Sequence, residues 1–198
     1  LPHRPHLRSS ARLARAHARF TGGMGDSGWL GPRSIDGGID EVPLPSTLPG
    51  RLWLCGKHLV GPSPIAALHR VGADLIVCLN ERHELLDRYP DYVRWLDDPL
   101  HDQARWHPVP DLGVRPHDEM VVLIDEIVAE LRCGTNLIVP CGAGIGRAGT
   151  VAAAVLVRAG HTASDALAVV TAARPMAGPE AGAQRTFVAR QVVDARGH

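Results

Sequence analysis

Apolar residues fall along this chain in two rhythms. Short unbroken runs, 51-RLWLC, 74-DLIVCL, 104-ARWHPV and 136-NLIVP, are each bounded by turn or charged residues and predict β-strands. Between them the apolar positions recur at helical spacing. One helix is predicted from Pro64 to Arg70, stopped by Gly72, and another from Glu81 to Arg88, stopped before Pro90. Across 118–132, Met120, Leu123, Ile124, Ile127, Val128 and Leu131 share one face, and Gly134 follows as a terminator. Three further helices follow the last strand: 147–159 closed by Gly160, 163–173 entered through Thr162 or Ser164, and one over 181–195. This alternation predicts the α/β class, with a small central, mostly parallel sheet flanked by helices and a helical C-terminal half.

Upstream of residue 51 the pattern changes. Residues 21–50 are rich in Gly, Pro and Ser and read as a linker or extended lead-in. Residues 1–20 carry Arg4, Arg8, Arg12, Arg15 and Arg19, with no acidic residue before Asp26. The last four would line one helical face, as in an organellar targeting peptide or an arm for an anionic surface; a disordered tail is the simpler reading. The chain opens on Leu1, so Met24 is a candidate translation start. The expected division is a basic tail and linker over 1–47 and one folded domain over 48–195.

Composition narrows the function. Lys+Arg and Asp+Glu are 21 each, so no global charge excess points to a nucleic-acid partner, and Lys57 is the only lysine. The four cysteines, Cys55, Cys78, Cys133 and Cys141, lack C-x-x-C spacing, and no segment resembles a signal peptide or a membrane span. A reduced, cytoplasmic setting is expected. The 11 histidines form no H-E-x-x-H and no paired Cys/His spacing, so neither a metal nor a cofactor is expected.

The chemistry concentrates in 140-PCGAGIGRAGT-150. A strand leading into a glycine-rich loop and then a helix aims successive N–H groups and a positive helix end at one point, which suits phosphate. A nucleotide P-loop would need lysine and a hydroxyl where Arg147 and Ala148 stand. The match of 144-GIGRAG-149 to a dinucleotide fingerprint lacks the acidic residue ending a following strand, because Asp165 falls in a helical pattern. A nucleophile and clamp spaced C-x(5)-R fits better. Cys141 would attack phosphorus, while Arg147 and the backbone of Gly142, Ala143, Gly144, Ile145 and Gly146 hold the phosphoryl oxygens.

On these residues the loop resembles the signature loop of the cysteine-dependent protein-tyrosine and dual-specificity phosphatases. Two further stretches carry the resemblance. The segment 106-WHPVPDLGVRP-116 is similar to the acid loop of the compact members, which implies that Asp111 protonates the leaving oxygen and then activates water. The segment 174-RPMAGPEAGAQRTFV-188 is similar to the one carrying a water-positioning glutamine, here Gln184. The resemblance also implies a phosphocysteine intermediate, a phosphorylated protein or peptide as substrate, and no metal. Some relatives protect the nucleophile with a second cysteine, for which Cys78 is the candidate.

Two positions depart from the family pattern: Pro140 replaces the usual histidine, and Ala148 the usual serine or threonine. The alternatives they leave open are a weak or inactive phosphate-binding module and, from another branch, a phosphoinositide phosphatase. Gly142 and Ile145 stand where lipid-directed members place lysines, which weighs against the latter.

Overall fold

The computed structural model describes residues 36–196, with side chains through Gln191, so the basic stretch of residues 1–20 and Met24 lie outside the described residues. Among those described, five strands form one sheet: β1 (Ile39–Val42), β2 (Leu52–Gly56), β3 (Leu75–Cys78), β4 (Ala104–Trp106) and β5 (Leu137–Cys141). Their spatial order is β1-β2-β5-β3-β4. Only β1 runs antiparallel; β2, β5, β3 and β4 are parallel. Every residue of β2, β3 and β5 is buried, which is why their sequences read as continuous apolar runs without alternation.

Eight helices complete the described chain: α1 (Lys57–Val60), α2 (Pro64–Val71), α3 (Arg82–Leu86), α4 (Pro90–Asp97), α5 (His117–Arg132), α6 (Gly146–Arg158), α7 (Ala163–Ala173) and α8 (Gly182–Arg196). Their starts follow local chemistry. Ser63 and Thr162 accept hydrogen bonds from Ala66 and Asp165 N–H groups, and Glu81 with Glu84 forms a capping box at α3. Pro90 was expected to end a helix, yet it also occupies the first turn of α4, where its fixed φ is favourable. The sheet reaches back into the stretch assigned to the linker: β1 pairs with β2 from Ile39↔Cys55 to Val42↔Leu52. A four-residue strand holding two acids shows too little apolar pattern to be seen, although Gly37, Gly38 and Pro43 bracket it.

Alternation within the strands separates two cores. Leu52, Leu54, Leu75, Val77, Leu137, Val139 and Cys141 pack with residues of α5 to α8. Trp53, Cys55, Ile76, Cys78 and Ile138 pack against Leu59, Leu68, Leu85, Tyr92 and Leu96 on the other side. Helix α6 is buried at every position from Gly146 to Val157, as a helix apolar all round must be. Each of its buried Val and Leu side chains contributes roughly 1.5–3 kcal/mol. That packing immobilises the helix whose first turn faces the loop after β5.

Candidate active site

The loop leaves the carboxyl end of β5, where parallel α/β sheets place their binding crevices. Its carbonyls are turned outward and held there. Gly142 O accepts from the Lys57 N–H at 3.3 Å, Ala143 O from Arg174 Nη2 at 2.7 Å, and Ile145 O from the Gly149 and Gly178 N–H groups at 2.9 and 3.3 Å. Because C=O and N–H point oppositely across a trans peptide, these bonds turn the N–H groups of Ala143, Gly144 and Gly146 inward. Gly144 adopts φ 74° with its α-carbon against the Cys55 backbone, so a side chain there would meet both strain and collision. Ile145, at the helix N-cap, supplies no side-chain cap, and the first turn of α6 keeps its N–H groups for an anion.

Arg147 is 3% exposed and Cys141 2%. One edge of the guanidinium is occupied: Nη1 and Nη2 donate to Glu84 Oε1 and Oε2 at 2.5 and 2.8 Å, and Nη1 also donates to Val109 O at 2.9 Å. The other edge, Nε with Nη2, meets only Asp111 Oδ1, 3.2 Å from Nη2, and the buried Nε has no acceptor among the described residues. A buried donor of this kind calls for an acceptor, and an oxyanion bound across Nε and Nη2 would supply it. Burial works against charge on Arg147, but Glu84, Cys141 and Asp111 outweigh it and raise its pKa. Burial likewise opposes ionisation of Glu84, yet hydrogen bonds from Arg147, Glu81 N–H and Asn80 bring its carboxyl down to about 2.

Cys141, the loop and Arg147 line a cavity of about 370 Å³ together with Lys57, Glu84, Asp111, Leu112 and Glu180. A larger cleft of about 490 Å³, bounded by His58, Arg70, Arg88 and Tyr89, holds no cysteine and no glycine-rich loop. Asp111 stands at the cavity mouth, its side chain 68% exposed. Its loop is anchored just upstream, where the His107 and Val109 N–H groups donate to Cys78 O and Leu79 O and Trp106 Nε1 donates to Asn80 O. Gln184 lies behind the cavity wall and is fully buried. Its Oε1 accepts from the Glu180 and Ala181 N–H groups at 2.8 and 3.4 Å, and its Nε2 donates to Gly113 O at 3.2 Å, which couples the Asp111 loop to α8.

A family model described as "Swiss Army Knife protein, DSP-PTPase phosphatase domain" matches residues 48–194. The chain belongs to this phosphatase family. Solved structures agree in fold. Kinase associated phosphatase with its catalytic cysteine changed to serine superimposes at TM-score 0.66 and 19% identity, over 81% of this chain and 97% of that one. Tk-PTP in its active form gives 0.57 at 22% identity, over 73% and 92%. DUSP15 gives 0.56 at 23%, over 78% and 90%. No curated protein matches the sequence.

This member of the dual-specificity group is therefore a cysteine-based phosphatase with its own departures. Pro140 sits inside β5, paired with Cys55, and still accepts from the Leu79 N–H at 3.0 Å. Its missing donor faces β3, and the β3–β5 ladder stops at Ile76↔Ile138. Ala148 is fully buried, and the hydroxyl two residues on, Thr150, is spent on Gly146 O at 2.7 Å. The expected partner cysteine, Cys78, forms no disulfide with Cys141. Strand alternation sends Cys78 to the opposite core, where burial pushes its thiol up to about 12, and all four cysteines are free.

Four polar residues of the site escaped the sequence reading. Glu84 could have been found from its capping-box spacing, E-x-x-E, in 81-ERHE-84. Lys57 was visible only as the lone lysine, and its Nζ donates to Glu84 O at 3.0 Å. Arg174 and Glu180 lay inside a quoted family segment without a role. Arg174, 2% exposed, bonds Gly37 O, Gly38 O and Asp40 Oδ2 as well as Ala143 O, and so ties β1 to the loop.

Proposed function

We propose that the chain hydrolyses phosphate monoesters through a phosphocysteine at Cys141, with phosphotyrosine on proteins as the principal substrate and phosphoserine or phosphothreonine as secondary ones. The observation that carries this reading is the Nε/Nη2 edge of Arg147, its Nε without an acceptor among the described residues and its Nη2 met only by the exposed Asp111, buried in one cavity with Cys141 and a loop whose Gly142, Ala143 and Ile145 carbonyls are bonded away from it. A phosphoryl group held by that edge and by the inward N–H groups presents phosphorus to Sγ. As it binds it displaces Asp111 from Nη2, leaving that carboxyl at the mouth to protonate the departing oxygen. Arg147 and the loop stay in place through both steps and stabilise charge spread over the equatorial oxygens. Leu112 and Ile145 offer apolar surface for an aryl group. The four free cysteines accord with a reducing, cytoplasmic setting.

A phosphoinositide substrate gains one point from the structure, Lys57 beside the loop, and loses two, because Asp111 and Glu180 share the cavity and repel further phosphates. The test is turnover of para-nitrophenyl phosphate with a chelator present, repeated with phosphotyrosine and phosphoserine peptides and with phosphoinositides. Activity is expected, and Cys141→Ser and Arg147→Ala should each lower it roughly 10⁴-fold or more. A protein that binds phosphopeptide and releases no phosphate at any pH would instead be a phosphate-binding module.

A further inference from the structure

Three carboxylates line the cavity, and they differ in what occupies them. Glu84 is locked in a bidentate pair with Arg147, and the acid loop carries Asp111 against the same guanidinium. The carboxylate of Glu180 takes part in no hydrogen bond or ion pair among the described residues, and its residue is exposed. It lies directly over Gly146, where a first side-chain carbon would collide with it, so the bare glycine is what admits it to the first turn of α6. Its backbone is fixed by Gln184, whose Oε1 takes the Glu180 N–H.

The second half of the reaction lacks its usual helpers here. Gln184 is fully buried outside the cavity lining, with its amide bonded to the Glu180 and Ala181 N–H groups and to Gly113 O, and so does not face water in the cavity, and Ala148 offers no hydroxyl to the departing sulfur. We infer that Glu180 is the base for hydrolysis of the phosphocysteine, with Asp111 serving the first step; this rests on the phosphatase reading above. The water oxygen bonds to phosphorus while one of its protons passes to the Glu180 carboxylate. The electron pair of the P–S bond returns to Sγ as thiolate, and inorganic phosphate leaves. Gln184 is then a positioning residue for both carboxylates, through Gly113 for Asp111 and through the backbone of Glu180.

Rapid mixing with para-nitrophenyl phosphate, combined with acid-quench trapping of phosphoprotein, tests this on the full chain. In Glu180→Gln the burst of nitrophenolate should keep its rate within about twofold, while steady-state turnover falls about a hundredfold and phosphocysteine accumulates towards one per molecule. In Glu180→Ala, formate should restore turnover. An unchanged steady state in Glu180→Gln overturns the inference, as does a burst that falls in parallel with it, or accumulation of phosphocysteine in Asp111→Asn instead. If the parent protein yields neither nitrophenolate nor phosphocysteine, the phosphatase reading itself fails.

Discussion

The two walls of the cavity are built on opposite principles. One is the loop from Cys141 to Arg147, seated on a helix buried at every position of its first three turns and with each outward carbonyl pinned by a different element. The other consists of Asp111, Leu112 and Glu180 on exposed loops, with Leu112 at φ 54° and 56% exposed, joined behind the cavity by Gln184. The lesson is one of timing. In the two-step reaction proposed above, groups that hold the phosphoryl oxygens would serve both steps and gain from rigidity, whereas groups that carry protons would change protonation between steps and need access to water.

Four changes would break or sharpen this contrast. The largest effect is expected from Glu84→Gln, which frees the guanidinium of Arg147 to turn and should lower kcat/KM about a hundredfold. The same change has a pH signature. The Glu84 carboxyl is depressed from 4.5 to about 2, so its contribution to stability is complete above pH 4.5 and is lost as pH falls towards 2. Denaturation midpoints across that range should show a shallower acid decline in Glu84→Gln, together with a loss of about 3 kcal/mol near neutrality. Second comes Arg174→Met, which releases the Ala143 carbonyl; vanadate affinity, read by inhibition, should fall about tenfold. Pairing it with Asp40→Asn, so that both charges go, should recover stability without recovering affinity.

The softer wall should respond more selectively. Gln184→Ala unties both Gly113 and the Glu180 backbone, and the expected result is a first step about fivefold slower with alkyl phosphates, whose leaving groups depend on Asp111, an unchanged burst rate with nitrophenyl phosphate, and a severalfold slower steady state with both. The smallest effect is expected from Ala148→Ser. A hydroxyl restored beside the departing sulfur should speed phosphocysteine breakdown about threefold, seen as a reduced burst against a faster steady state.

How far the sequence revealed all this depended on how locally each feature is encoded. Strands β2, β3 and β5 and helices α5 to α8 were legible because burial on whole faces leaves a periodic imprint. Strand β1 was not, since Ile39–Val42 pairs on one edge only and carries Asp40 and Glu41. Helix α4 was missed because Pro90 signals an end and a beginning with the same ring. At the site, Cys141 and Arg147 could be read together because one short loop holds both. Glu84 reaches Arg147 across 63 residues and Arg174 reaches Ala143 across 31, meetings that only the topology creates. Gln184 was read by its place in a family segment, while its orientation was decided by the nearby N–H groups and the Gly113 carbonyl.

Arg174 also redraws where the working unit begins. The family match starts at residue 48, yet the guanidinium that steadies the phosphate loop is neutralised by Asp40 and capped by the carbonyls of Gly37 and Gly38, all upstream of that point. A chain trimmed to the matched segment would keep Cys141 and Arg147 but strand the buried Arg174 cation and bare one edge of β2, so a lower melting temperature is the expected outcome of such a trim.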